Sequence, residues 1–253
     1  MNPDVQKLIG VYTGDFGFFH NVREILKARG IPFVGISVGE EVPDTVGVIL
    51  TSAEEMDDID FEPKVALESI EEAIGRALCL LAGKTQFDWL TIGVDPGPEP
   101  GLAAIGDGEV LEARTAESPE HVAELVGELA RIYAPRNMRV RIGHGDPLNR
   151  NRIINSLLDK DHLVEIVDEK GTTRKTENPD LEAAKQIAAS RGDRVRERLP
   201  LTTTARQLKD IQRQSRIASE NRITISTDLA REVAVGSITL AEALKRQETS
   251  KKT

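Results

Sequence analysis

The sequence predicts a mixed α/β chain in three parts: a small α/β unit, a larger unit built on a mixed sheet, and a helical tail. Three observations predict it. Short β-branched apolar runs alternate with helical periodicity up to about residue 81, as in βαβ units. Three strands then follow one another over residues 90–114 with no helix between them, after which helices and strands alternate. Beyond residue 200 only helical periodicity remains. The units divide as 1–86, 87–192 and 193–253.

In the first unit, residues 8–13 (LIGVYT), 32–38 (PFVGISV) and 46–52 (VGVILTS) read as buried strands. Between the first two lies "FFHNVREILKARG", a helix with Val22, Ile25 and Leu26 on one face and Gly30 as its stop. The loop "TGDFGFF" matches neither dinucleotide nor P-loop spacing, and reads as a strand-to-helix turn with Phe16, Phe18 and Phe19 packing inward. "AEEMDDIDFEPK" reads as a solvated acidic loop. From Val65 to Leu81 the spacing of Leu67, Ile70, Ala73, Ile74, Ala77, Leu78 and Leu81 makes an amphipathic helix.

The second unit opens with strands at 90–95, 101–106 and 109–114, the last two joined by the Asp-Gly turn at 107–108. A helix follows, with Ser118 placed as cap and Pro119 in the first turn. "RVRIG" (139–143) is a fourth strand, and "HGDPLNRN" leads into a helix through Leu158. "HLVEIVDE" (162–169) is a fifth strand, and "NPDLEAAKQIAASRG" a last helix. Three strands, then α, β, α, β, α, is the element order of the ribonuclease H fold. In that arrangement Asp95, the 143–146 loop and Asp180 converge on the end of the central strand.

Composition narrows the function classes. At 253 residues the chain is 39% hydrophobic and 30% charged, ordinary for a globular protein. No apolar run reaches the roughly 18 residues of a membrane helix, and the start "MNPDVQKLIG" lacks export-signal features, so a cytoplasmic protein with no membrane partner is expected. The one cysteine, Cys79, sits in "ALCLLAG" and reads as a buried structural thiol. The net charge of −9 is unevenly spread: residues 1–88 hold 7 Lys/Arg against 16 Asp/Glu, residues 192–253 hold 13 against 8. The tail attracts phosphate where the first unit repels it.

Phosphodiester hydrolysis needs an activated water and a stabilised leaving oxygen, which two Mg²⁺ or Mn²⁺ ions about 4 Å apart supply. Such ions take a few carboxylates, with water and substrate phosphate as their other ligands. Asp95, Asp146, Asp168 or Glu169, and Asp180 are the candidate metal ligands. Taken singly, Asp146 and Asp180 also read as helix-start acids, and Asp168-Glu169 as a strand-end turn.

"TIGVDPGPEPGLAAIGDG" resembles the first motif of the RuvC and YqgF (RuvX) branch of the ribonuclease H superfamily. "VRIGHGDPLNRN", "EIVDEKGTT" and "DLEAAKQI" resemble, in order, later segments of YqgF proteins, so the likeness covers about residues 88–192. It implies Asp95, Glu169 and Asp180 as catalytic metal ligands, with Asp168 beside them and Thr172 and Thr173 shaping the loop or touching phosphate. Glu99 stands where those proteins carry a basic residue and Lys170 where they carry arginine. Gly143 stands where RuvC-type resolvases carry an acid.

The tail lies outside this likeness. Arg194, Arg198, Arg206, Arg213 and Arg216 are its candidate phosphate-contacting residues, within segments that also read as a solvated helical hairpin. Thr239 and Glu242 fit a capping box. The leading expectation is a metal-dependent nuclease on structured DNA or RNA, a homodimer if it resolves symmetric junctions. A non-catalytic ribonuclease H-fold module that binds nucleic acid or protein is the alternative, and an actin-like ATPase a third. The last needs two such domains and a second phosphate loop.

Overall fold

A computed structural model of the chain describes residues 7–66, 68–168 and 179–250. The first part holds β1 (Leu8–Tyr12), α1 (Phe16–Ala28), β2 (Phe33–Ile36), β3 (Val46–Leu50), β4 (Lys64–Val65) and α2 (Ile70–Leu81). Its sheet runs β2-β1-β3-β4 and every pairing is parallel. Ile9 and Val11 on β1, Val48 and Leu50 on β3, Val22 and Leu26 on α1, and Ile74 and Ala77 on α2 form its core. Burying each such aliphatic side chain contributes about 1.5–3 kcal/mol. Asp15 caps α1, accepting from the backbone N–H of Gly17 and Phe18, and Ser69 caps α2.

Three expectations fail in this part. The helix expected from Val65 begins only at Ile70, because Val65, in β4, pairs with Leu50 and Ser69 caps the helix start. Phe18 and Phe19 pack on the core, but Phe16 is 87% exposed. It is the first residue of α1, directly after the Asp15 cap. The acidic loop is not wholly solvated either: Glu55 turns inward, as described below.

The central sheet comprises β5 (Trp89–Asp95), β6 (Gly101–Gly106), β7 (Glu109–Thr115), β8 (Asn137–Gly143), β9 (Val164–Val167) and β10 (Asp193–Val195). Its order is β10-β9-β8-β5-β6-β7. β5, β6 and β7 form an antiparallel meander, β8 and β9 extend it in parallel from β5, and β10 closes the far edge antiparallel. Apart from the added β10, this is the ribonuclease H order expected from the sequence. α3 (Val122–Tyr133) and α4 (Pro147–Leu158) cover one face, where Leu90, Ile92, Val94, Val140 and Ile142 meet Val126, Leu129, Ile153 and Leu157. α3 starts later than expected: Ser118 Oγ accepts from His121 N–H, and His121 precedes the first helical residue.

α5 (Pro179–Ala189) covers the other face. Its approach depends on Gly93 in β5, because a Cβ there would strike the Ala184 carbonyl oxygen and come within 2.6 Å of the Ala188 nitrogen. Gly75 plays a similar part where α2 packs on α3, lying against the Ile132 carbonyl.

The tail forms α6 (Ala205–Ala218), α7 (Thr227–Ala234) and α8 (Leu240–Ser250) around a core of its own, Ile223, Ile225, Ala230 and Ala243 with Leu208, Ile211 and Leu229. Thr204 with Gln207, and Thr239 with Glu242, make capping boxes. The connection from the sheet is clamped by α4: Asn155 Nδ2 donates to the Leu199 carbonyl at 2.9 Å, and Leu199 N–H donates to Asn155 Oδ1 at 2.7 Å. Asn151 donates to the Pro200 carbonyl. No helix among the described residues is long and apolar enough to cross a membrane.

Candidate functional site

The carboxyl ends of the parallel strands β5, β8 and β9 form one rim of the central sheet. β5 ends in Asp95, which is partly buried and pairs across the ladder with Gly101. Gly93 and Asp95 are two residues apart on the strand, so they share a face, and that face is the one α5 covers. β8 ends in Gly143, which carries no side chain to fill the space beside Asp95. Val167 pairs with Gly143 at the end of β9, and Asp168 follows it, exposed. Neighbouring strands lie about 4.8 Å apart, so the ends of β5 and β9 are separated by roughly 10 Å, with β8 between them.

Asp180 is the second residue of α5, the helix laid against β5; its side chain lies outside the described residues. So do Glu169, Lys170, Thr172 and Thr173. Asp146 has a different occupation. It caps α4, accepting from Asn149 N–H at 3.3 Å and Asn149 Nδ2 at 2.8 Å, with φ at +26° in a region few non-glycine residues adopt. Both of its oxygens serve the helix start, the simpler of the two roles its position allows. Among the described residues no group of three or more His, Cys, Asp or Glu side chains stands ready to hold a metal ion.

The tail arginines separate by partner. Arg194 lies in β10, exposed. Arg198 is held by Asp159. Arg206, Arg213 and Arg216 recur on α6 at intervals of seven and three, and exposed Lys209 joins them at i+3 from Arg206. Those four positions lie on one helical face, opposite Leu208, Ile211 and Ser215, which pack inward. Arg206, 93% exposed, meets Asp210 only at 4.0 Å. The sequence reading missed Lys209, although the i, i+3, i+7, i+10 pattern marks it.

A groove of about 760 Å³ separates this bundle from the starts of α3 and α4. Among the described residues its charged lining is Glu117, Glu120, Asp146, Asp210 and Glu242 against Arg152. Arg152 in turn is held by Glu120 at 2.8 Å. The lining of this groove is net acidic, in contrast to the basic outer face of α6.

Two polar clusters were not foreseen. At the switch point of the first sheet, between the carboxyl ends of β1 and β3, Glu55 accepts from the Thr13 hydroxyl at 2.6 Å, Gly14 N–H at 2.6 Å and the Ser52 hydroxyl at 2.9 Å. In doubly wound sheets ligands occupy that crevice; here a carboxylate of the chain itself does. Burial alone would raise the Glu55 pKa, but these hydrogen bonds outweigh it and hold the carboxyl below its usual value. The second cluster centres on Glu112 of β7, buried to 4% exposure. It accepts from Arg114 Nε at 2.6 Å and the Tyr133 hydroxyl at 2.7 Å. Burial first, and the Glu112 charge second, push the Tyr133 phenol up. Arg29, at the end of α1, faces the same carboxylate at 3.5 Å.

A family model described as a response regulator receiver-like domain matches residues 8–81, and one described as a three helical bundle domain matches residues 204–249. Neither spans half of the chain. A search of curated protein sequences finds no match. Among solved structures, RuvC of Thermus thermophilus is similar over 39% of this chain and 90% of that one, at 14% identity and a TM-score of 0.28. The ribonuclease H-like character of the central sheet rests instead on its strand order and directions.

Proposed function

We propose that the chain is a metal-dependent phosphodiesterase acting on structured DNA or RNA, with its reaction centre at the rim of the central sheet. The observation that supports this most directly is the position of Asp95. It ends the central strand on the face covered by α5, beside a strand that ends in glycine. Asp95, Glu169 and Asp180 are the proposed metal ligands, with Asp168 adjacent. Asp146 leaves the set because its carboxylate caps α4.

The donor chemistry suits Mg²⁺ or Mn²⁺, hard ions that take carboxylate oxygens and water. Such ions supply an activated water and charge stabilisation at the leaving oxygen. The protein's part is placement. The β5–β6 ladder fixes the Asp95 backbone, Gly93 lets α5 bring Asp180 toward the same face, and Gly143 leaves room for a phosphate. The basic face of α6 neutralises neighbouring backbone phosphates without reading bases.

Cleavage of four-way junction DNA, plain duplex and folded RNA, each with and without Mn²⁺, tests the proposal against the Asp95→Asn variant. Metal-dependent cleavage that disappears in the variant is expected. One observation favours the non-catalytic alternative: the α6 stripe belongs to a bundle with its own core, so binding there needs no metal. Nucleic-acid binding with no metal uptake at millimolar Mg²⁺ or Mn²⁺ would establish that alternative.

A further inference from the structure

At the seam between the first sheet unit and β7 lies a cleft of about 590 Å³. Three cations from separate segments, Lys7, Arg29 and Lys185, line it against two carboxylates of β7, Glu109 and Glu112, together with apolar Leu78, Leu81 and Leu111. Two of these cations have partners: Lys7 donates to the Asp44 carbonyl and Lys185 to Glu182. Arg29 is different. Its side chain is nine-tenths buried, yet its ion pair with Glu112 is 3.5 Å long, beyond the roughly 2.7–3.2 Å of an N–H···O hydrogen bond. Arg29 Nη1 is buried with no hydrogen-bond partner among the described residues.

Glu112 has little left to offer it. Arg114 and Tyr133 already donate to that carboxylate at 2.6 and 2.7 Å. A buried guanidinium with an unanswered donor is rare in folded proteins and calls for a missing acceptor. Guanidinium geometry matches the paired oxygens of carboxylates and phosphates. The cleft is also of the size of small-molecule sites, with charged side chains and leucines sharing its walls.

We propose that this cleft binds a small ligand carrying one oxyanionic group on an apolar body, with Arg29 as the anchoring residue. The oxyanion takes the place of the loose Glu112 contact, and a turn of the Arg29 side chain brings Nη1 from behind the cleft wall to the ligand. Lys7 and Lys185 offset the Glu109 and Glu112 carboxylates of the lining, and the leucines bury the apolar part. The site joins residues of α1 and α2 to residues of β7, so its occupancy bears on how the first unit holds the central sheet. It is independent of the chemistry at Asp95.

The test is calorimetric titration of the full chain with hexyl phosphate, hexanoate and inorganic phosphate. One alkyl probe is expected to bind one-to-one, at least tenfold more tightly than inorganic phosphate, and the better probe names the headgroup. Arg29→Gln should weaken that binding at least tenfold, while Arg231→Gln, on the tail bundle, leaves it unchanged. No saturable binding by any probe, or binding that survives Arg29→Gln, overturns the proposal. Should Arg29→Gln fail to fold, Lys185→Gln decides: a threefold or greater loss upholds the site, and unchanged affinity refutes it.

Discussion

Gly93 and Ala188 are in such close contact that a single methyl group on the strand would come within 2.6 Å of the helix nitrogen. Because the struck atoms are backbone, no rotamer change relieves the clash. α5 must lift from the sheet or β5 must bend. Gly93→Ala should therefore destabilise the chain by about 1–3 kcal/mol, the range for overpacked interiors. Urea denaturation checks this through a lower midpoint at similar slope. An unchanged midpoint would mean that α5 is not seated as described.

Asp95→Asn keeps the shape of the strand end and removes its charge. Metal affinity and cleavage should fall together, because the charge that would hold a divalent ion is gone. Glu169→Gln and Asp180→Asn should behave alike. A merely structural aspartate would show the reverse pattern, a lower melting temperature with metal binding intact. Calorimetry with Mn²⁺, run beside a thermal melt, separates the two.

Neutralising an arginine on the α6 face that touches phosphate should flatten the salt dependence of duplex DNA binding, lowering the slope of log K against log salt by about 0.9. Arg206→Gln and Arg213→Gln test this singly and together. Removing residues 203–253 should weaken binding and leave metal-dependent chemistry in place, since Asn151 and Asn155 still hold residues 199–200 on α4. A slope unaltered by both substitutions would reduce the bundle to a packing element.

Glu55 should make the first unit sensitive to acid. Its carboxyl is held below the ordinary value of 4.5 by donors from Thr13, Gly14 and Ser52. The sign follows from linkage: the folded state favours the charged form, so this stabilisation is fully present above the unfolded pKa. It is lost as pH falls through the folded one. The stability gap between the native chain and Glu55→Gln should be constant near neutrality and close below about pH 4.5. Urea midpoints across that window measure it, and a pH-independent gap would show that charge plays no part.

Local rules made much of this molecule legible before its structure. Strand and helix periods repeat within a few residues. They sufficed for the meander of β5 to β7, the order of the elements after it, Asp95 at a strand end, and the Thr239–Glu242 capping box. The alternative reading of Asp146 as a helix-start acid was also open from the sequence. What the tertiary structure alone decided are relationships between residues far apart in the chain. Glu55 reaches Gly14 across 41 positions, Asn155 clamps Leu199 across 44, and Arg29 meets Glu112 from another unit altogether. Hydrogen bonds of this kind leave no periodic trace, because in the sequence either partner alone is an ordinary polar residue. Gly93 shows the same division. Its place in an apolar strand is plain from the sequence, but the helix backbone that requires a glycine there arrives from about ninety residues later, and only packing brings the two together.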